Sequence, residues 1–142
     1  MKQIKAIIAV SLDGFIATQD NELDWIPQNV RVLLSKEYEA AHNLLMGANT
    51  YTYIFEHWGG WPYKSKKTFV VSHYDTNVTE KENVTFLTDM PLRAINELKS
   101  SSETDIQVIG GGKFITSLIE ASLLDEITLY IVPVMLGNGI DR

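Results

Sequence analysis

Apolar residues in this chain fall into short blocks whose period changes along the sequence. Residues 4–10 form a near-continuous run rich in β-branched side chains, which predicts a strand buried on both faces. Residues 29–41 place Val30, Leu33, Leu34, Tyr38 and Ala41 at helical spacing. A second apolar run, 44–46, is closed by Gly47, and Asn49 or Thr50 can cap a short helix reaching Phe55. Residues 68–72 read as a strand and 84–87 as a weaker one. Thr88 or Asp89 can cap a helix with Pro91 in its first turn and Leu92, Ile95 and Leu98 inward. A strand at 106–109, a helix at 113–123 and a strand at 126–132 complete the pattern. Strands alternating with helices predict an α/β fold with a mostly parallel sheet covered on both faces. After Pro133 no further closing element is expected. The open edge at 126–132 implies a chain shorter than a complete domain.

Composition narrows the class. The 142 residues are enough for one domain with a sizeable core. Acidic residues outnumber basic ones by 18 to 12, a net charge of -6, which argues against binding to a phosphate backbone. There is no cysteine, so disulfides, thiolate metal sites and cysteine nucleophiles are excluded together. The first apolar run is interrupted by Ser11 and Asp13 and is too short for a leader or a membrane span. A cytoplasmic protein working on a small molecule, with neither nucleic acid nor membrane as partner, is expected.

Four segments are candidates for chemistry. In Val108-Ile109-Gly110-Gly111-Gly112-Lys113-Phe114 a strand ends in three glycines and a helix starts at once. Glycine allows close backbone approach, and a helix N-terminus favours an anion such as phosphate. The segment lacks the G-x-G-x-x-G fingerprint, and spacing alone leaves phosphate binding and a plain turn evenly matched. Met46-Gly47-Ala48-Asn49-Thr50-Tyr51 repeats the strand–glycine–helix arrangement. Two such turns in one parallel sheet favour a ligand at the carboxyl ends of the strands. Ser11-Leu12-Asp13-Gly14-Phe15-Ile16-Ala17 carries a turn signal, and Leu23-Asp24-Trp25-Ile26-Pro27-Gln28-Asn29 is a loop leading into a helix. His42, His57 and His73 have no metal-ligand spacing, and no nucleophile motif is present. No catalytic residue is identified and no metal is expected. That absence fits chemistry carried by a bound cofactor.

Taken in order, these segments and Val70-Val71-Ser72, Leu124-Asp125-Glu126-Ile127 and Val132-Pro133-Val134-Met135-Leu136-Gly137-Asn138-Gly139 span almost the whole chain. The ordered set resembles the dihydrofolate-reductase-like superfamily. Its nearest likeness is to the reductase domain at the C-terminus of bifunctional riboflavin-biosynthesis deaminase/reductases and to its stand-alone relatives. The resemblance implies a three-layer α/β/α sandwich, with the last strands, expected after Gly139, absent. It implies an NADPH-dependent reductase of the 5-amino-6-(5-phosphoribosylamino)uracil type, acting on a small heterocyclic or carbonyl substrate, and a homodimer. By position, Ala9 would meet the nicotinamide carboxamide through its backbone, and Gly14 and Ile16 lie in a flap over the nicotinamide. Gly47, Asn49 and Thr50 would hold phosphate, and Ser72 and His73 would flank the adenosine. Gly110, Gly111, Gly112, Lys113 and Phe114 would wrap the pyrophosphate and nicotinamide. Asp13, Asp24, Trp25, Asn29 and Tyr51 are expected on the substrate side. Two features depart from folate reductases. Asn29 stands where their acid would fall, and no arginine follows Met46-Gly47, so NADH is not excluded. A nicotinamide-nucleotide-binding module without turnover, a folate reductase lacking the usual acid, and an interaction domain whose glycine turns are only turns are the competing readings.

Overall fold

The computed structural model describes residues 2–17, 25–57, 62–63, 65–72, 83–88 and 91–141. The elements are β1 (Ile4–Ser11), β2 (Phe15–Ala17), α1 (Gln28–Ala40), β3 (Asn43–Gly47), α2 (Ala48–His57), β4 (Lys67–Val71), β5 (Val84–Leu87), α3 (Pro91–Ser101), β6 (Ile106–Val108), α4 (Gly112–Glu120), β7 (Glu126–Val132) and β8 (Ile140–Asp141). Six strands make one parallel sheet in the order β5-β4-β3-β6-β1-β7. At 140–141, where no closing element was expected, the chain instead returns as β8 and pairs antiparallel with β2. Among the described residues, no helix is long and apolar enough to cross a membrane.

Two-sided burial explains why β1 carries almost no polar residue. Its side chains alternate between faces. Ile4, Ala6, Ile8 and Val10 pack with Ile95 of α3 and with Ile115 and Leu118 of α4. Ile7 joins Tyr38 of α1 and Tyr51 and Ile54 of α2 on the other face. β3 divides likewise, Leu45 to the first core and Leu44 and Met46 to the second. Helices thus cover both faces, as the alternating pattern implied.

Helix ends depart from the reading of the sequence. α1 starts at Gln28 with Pro27 as its N-cap residue, one residue earlier than the spacing implied, so Asn29 lies inside the first turn. Leu33 is 42% exposed because it sits about 100° off the line of Val30, Leu34 and Tyr38. Leu92, in the first turn of α3, is 43% exposed, while Ile95 and Lys99 are buried. Lys66 donates from Nζ to the carbonyls of Glu39 and Ala41, both 2.6 Å, closing the end of α1.

α4 ends three residues before the apolar pattern does. Ser122 adopts φ 57°, the Leu123 N–H donates to Leu118 C=O at 2.9 Å, and the Ser122 N–H donates to Ile119 C=O at 3.0 Å. This is a Schellman closure, with buried Leu123 packing as its hydrophobic partner to Leu118. Leu123 looks like another helical turn in sequence, but it belongs to the cap. A non-glycine residue is strained in that left-handed conformation. Ser122→Gly should therefore raise stability by about 0.5–1 kcal/mol. An unchanged or lower urea midpoint would contradict the cap assignment.

At the amino end of the sheet, Lys99 Nζ lies 2.6 Å from Asp125 Oδ2, with side-chain exposures of 10% and 29%. The same oxygen accepts the Ile4 N–H at 2.8 Å, so this pair ties α3 to the starts of β1 and β7. The hydrogen bond from Lys99, then that from Ile4, holds the Asp125 carboxyl below its ordinary 3.8. Because the folded value is the lower one, this stability is full above the ordinary pKa and lost as pH falls through the depressed value. The melting temperature should therefore fall from about pH 5 to about pH 3, with Asp125 contributing to the fall. Lys99→Met should lower neutral-pH stability by on the order of 1–2 kcal/mol and flatten that acid slope. An unaltered slope in the variant would assign acid sensitivity elsewhere.

Candidate functional site

The site is built by one short strand in the middle of the sheet. β6 pairs with β1 only as far as Ala6↔Val108 and with β3 only as far as Leu45↔Val108. β1 continues to Ser11 and β3 to Gly47, so the sheet opens into a notch where β6 stops. The Ile106 N–H donates to Gln3 C=O and the Asp125 N–H to Ile4 C=O, both 2.9 Å. Peptide groups alternate sides along a strand, so odd residues of β1 turn theirs toward β6 and even ones toward β7. Ala9 is odd and lies three residues past the end of the β6 pairing. Its N–H and C=O therefore face the notch, while its side chain is buried with Ile26 and Val132, against which Trp25 packs.

Two strand-to-helix turns border the notch. α2 begins at Ala48 immediately after Gly47, and α4 at Gly112 immediately after Gly110 and Gly111. The two starts are in contact. A Cβ placed on Gly47 would lie 3.7 Å from Phe114 Cβ, and one on Gly111 would lie 3.8 Å from Thr50 Oγ1. The first full helical bond of α4 runs from the Ile115 N–H to Gly111 C=O, leaving the amides of Gly112, Lys113 and Phe114 without intrahelical acceptors. Among the described residues no side chain caps that turn, and neither α2 nor α4 has an acidic residue in its first turn. The arrangement is electropositive on backbone alone and suits an anion.

The expected residues divide by placement. Ala9, Gly47, Thr50, Gly110, Gly111, Gly112 and Phe114 gather around the notch; Asn49 and Lys113 sit at its helix starts with exposed side chains. Ser72, at the end of β4, is buried and donates its N–H to Leu87 C=O at 3.2 Å. Gly14 has φ 92° in the β1–β2 turn, and Ile16 lies in β2. On the substrate side, Trp25 packs beside Ala9 with Nε1 buried and, among the described residues, without an acceptor. Tyr51 is in the core beneath α2, its ring centroid 5.7 Å from Phe86 and 6.1 Å from Phe55; burial raises its phenol pKa. Asn29 is exposed on α1. Asp13 is taken up by contacts within the chain, given below. Asp24 and His73 lie outside the described residues.

Sequence reasoning missed Ser11. It is 1% exposed, donates from Oγ to Asp13 Oδ1 at 2.6 Å and accepts the Phe15 N–H at 2.9 Å. The Ser-x-Asp spacing ahead of a glycine is the local signal for such a turn. Open grooves of about 660 and 450 Å³ run beside α1, both lined by Ser35 and Glu39, and neither is lined by a residue of the glycine turns.

The chain's likenesses agree with this geometry. The RibD C-terminal domain family model matches residues 2–142. A solved protein of Shewanella sp. PV-4 assigned to riboflavin biosynthesis superposes with TM-score 0.80 at 29% identity, covering 98% of this chain and 81% of that one. The diaminohydroxyphosphoribosylaminopyrimidine deaminase/5-amino-6-(5-phosphoribosylamino)uracil reductase of Thermotoga maritima gives 0.70 at 16% identity, over 99% of this chain and 47% of that one. Dihydrofolate reductase of Enterococcus faecalis, solved with NADP(H), gives 0.63 at 23% identity, over 99% and 77%. The fold is thus dihydrofolate-reductase-like.

The glycines of the second turn should differ in tolerance. A Cβ on Gly110 would lie 3.4 Å from Val108 Cγ1 and 3.5 Å from Ile115 Cγ1, whereas one on Gly111 meets only Thr50 at 3.8 Å. Gly110→Ala should cost on the order of 1 kcal/mol more than Gly111→Ala in thermal or urea unfolding. Equal costs would mean that the turn relaxes freely.

Proposed function

The chain belongs to the RibD C-terminal domain family, and from that premise we propose that it is an NADPH-using reductase. It would act on a small heterocyclic or carbonyl substrate of the riboflavin-pathway type. The observation that carries this reading is the notch itself, where the Ala9 peptide on β1 faces the gap above β6, beside two touching glycine-lined helix starts. One N–H and one C=O side by side complement a primary carboxamide, which presents the opposite pair. Gly47, Asn49 and Thr50 at one helix start and Gly110, Gly111, Gly112 and Phe114 at the other would hold the phosphates. Ser72 and His73 would flank the adenosine.

The bound nucleotide supplies the hydride. The chain's own residues place and enclose the reacting rings, which is where the rate gain of such a transfer is made. Trp25 and Ile26 pack with the Ala9 side chain and keep that side apolar. Asn29 can donate and accept hydrogen bonds but brings no charge to a protonated ring, so dihydrofolate is a poor substrate on this reading. That same neutral residue favours one of the competing readings, a module that binds the nucleotide without turning it over.

Millimolar NADPH should raise the melting temperature; a ligand present at a hundred times its Kd adds about 2.7 kcal/mol. Gly111→Ala, which the apo fold accommodates, should lose that shift, because the added Cβ blocks approach to the turn. Consumption of NADPH with a ribosylaminopyrimidine but not with dihydrofolate is the expected turnover result. Absence of a shift with both NADPH and NADH would sink the proposal, and a shift without consumption across pyrimidine and pterin substrates would leave the binding module.

A further inference from the structure

The β1–β2 turn is fastened to a segment more than a hundred residues away. Asp13 Oδ2 accepts the Gly137 N–H at 2.8 Å, and its Oδ1 accepts the Leu136 N–H at 3.2 Å as well as the Ser11 hydroxyl at 2.6 Å. Beside them the Leu12 N–H donates to Val134 C=O at 2.9 Å. Ser11 Oγ passes the connection on by accepting the Phe15 N–H at the start of β2. Gly14 at φ 92° and Gly137 at φ 78° hold turns that other residues adopt only with strain. Both carboxylate oxygens therefore have donors from the chain. Ser11 closes β1 two residues after Ala9, so whatever moves this turn moves the lip of the notch.

We propose that Asp13 is a positioning residue whose carboxylate latches the 134–137 segment onto the β1–β2 turn and so fixes that turn at the border of the notch. It acts through Ser11 and the backbone and does not touch the substrate. The fixed border matters to function only if the notch holds a nicotinamide nucleotide, so that half rests on the reading above. The half that concerns the latch stands on geometry alone.

Amide hydrogen exchange and NADPH affinity test the two halves separately. In Asp13→Ala the Leu136 and Gly137 amides should exchange at least about tenfold faster, and the Kd for NADPH should rise by about tenfold. Asp13→Asn keeps one acceptor oxygen, so it should retain part of the amide protection and bind with intermediate affinity. Ser11→Ala, which spares the carboxylate, should quicken exchange at Phe15 while leaving Leu136 and Gly137 protected; this pattern serves if Asp13→Ala does not fold. Wild-type protection of both amides in Asp13→Ala, or of Phe15 in Ser11→Ala, overturns the latch. Free exchange with unchanged NADPH affinity overturns its coupling to the notch. If the native chain binds no NADPH, the notch reading fails instead, and the exchange rates alone decide the latch.

Discussion

Parallel strands cannot be joined by tight turns, so nearly every strand here is followed by a crossover, and a crossover has a preferred hand. From β1 the chain moves one way across the sheet, through α1 to β3 and through α2 to β4. From β5 it moves the other way, through α3 to β6 and through α4 to β7. Opposite directions with one hand put α1 and α2 on one face and α3 and α4 on the other, as the two hydrophobic cores record. The two directions overlap at β6, which is inserted late in sequence between β1 and β3. Being only three residues long, β6 leaves its longer neighbours projecting past it. The notch follows from connectivity and strand length before any side chain is considered.

The two ends of the sheet are stabilised differently. At the amino end Asp125 binds Lys99 and the Ile4 amide, and Asn43 Nδ2 donates to Ser102 and Thr104 at 2.8 and 2.7 Å. Lys5 adds pairs to Asp105 and Glu126, but all three side chains are more than a third exposed, so screening leaves these pairs little stabilising effect. At the carboxyl end the glycine turns leave amides without intrahelical acceptors, and the Trp25 indole N–H is buried without one among the described residues. Polar groups left unmatched cost stability. A sheet whose donors stay open at one end has the distribution expected of a binding edge.

Strands were the legible part of the sequence because two-sided burial forces an unbroken apolar run. β1 is longer than its predicted run by one residue, and β7 has its predicted bounds. Helix ends were harder, since Leu123 packs like a helical residue while serving a cap, and Leu33 is apolar yet exposed. The glycine turns could be found because glycine itself is the signal. That Ala9 faces the notch was reached only through the family resemblance, because its orientation depends on strand register and on where β6 stops. The fastening of Asp13 was equally hidden. Its partners are backbone amides 123 and 124 residues on, and amides carry no sequence signature.

On the proposed reading the chain is a reductase that borrows its reactive group, which gives sequence and function a distinctive relation. Ala9 contributes a peptide group, and Gly110 to Gly112 contribute amides and the absence of side chains. None of them offers the carboxylate, imidazole or thiol by which active sites are usually recognised. Exchanging side chains at such positions alters function mainly by adding bulk, so Gly111→Ala says more about the site than removal of any nearby polar group. The side chains that do bear charge near the notch then act at one remove, as Asp13 does, by fixing where the backbone stands. Placement of backbone is what hydride transfer asks of a protein, because donor and acceptor atoms must meet within a narrow range of distance and angle. On the proposed reading, substrate choice would then depend on residues such as Trp25 and Asn29, which the cofactor's chemistry leaves free to vary.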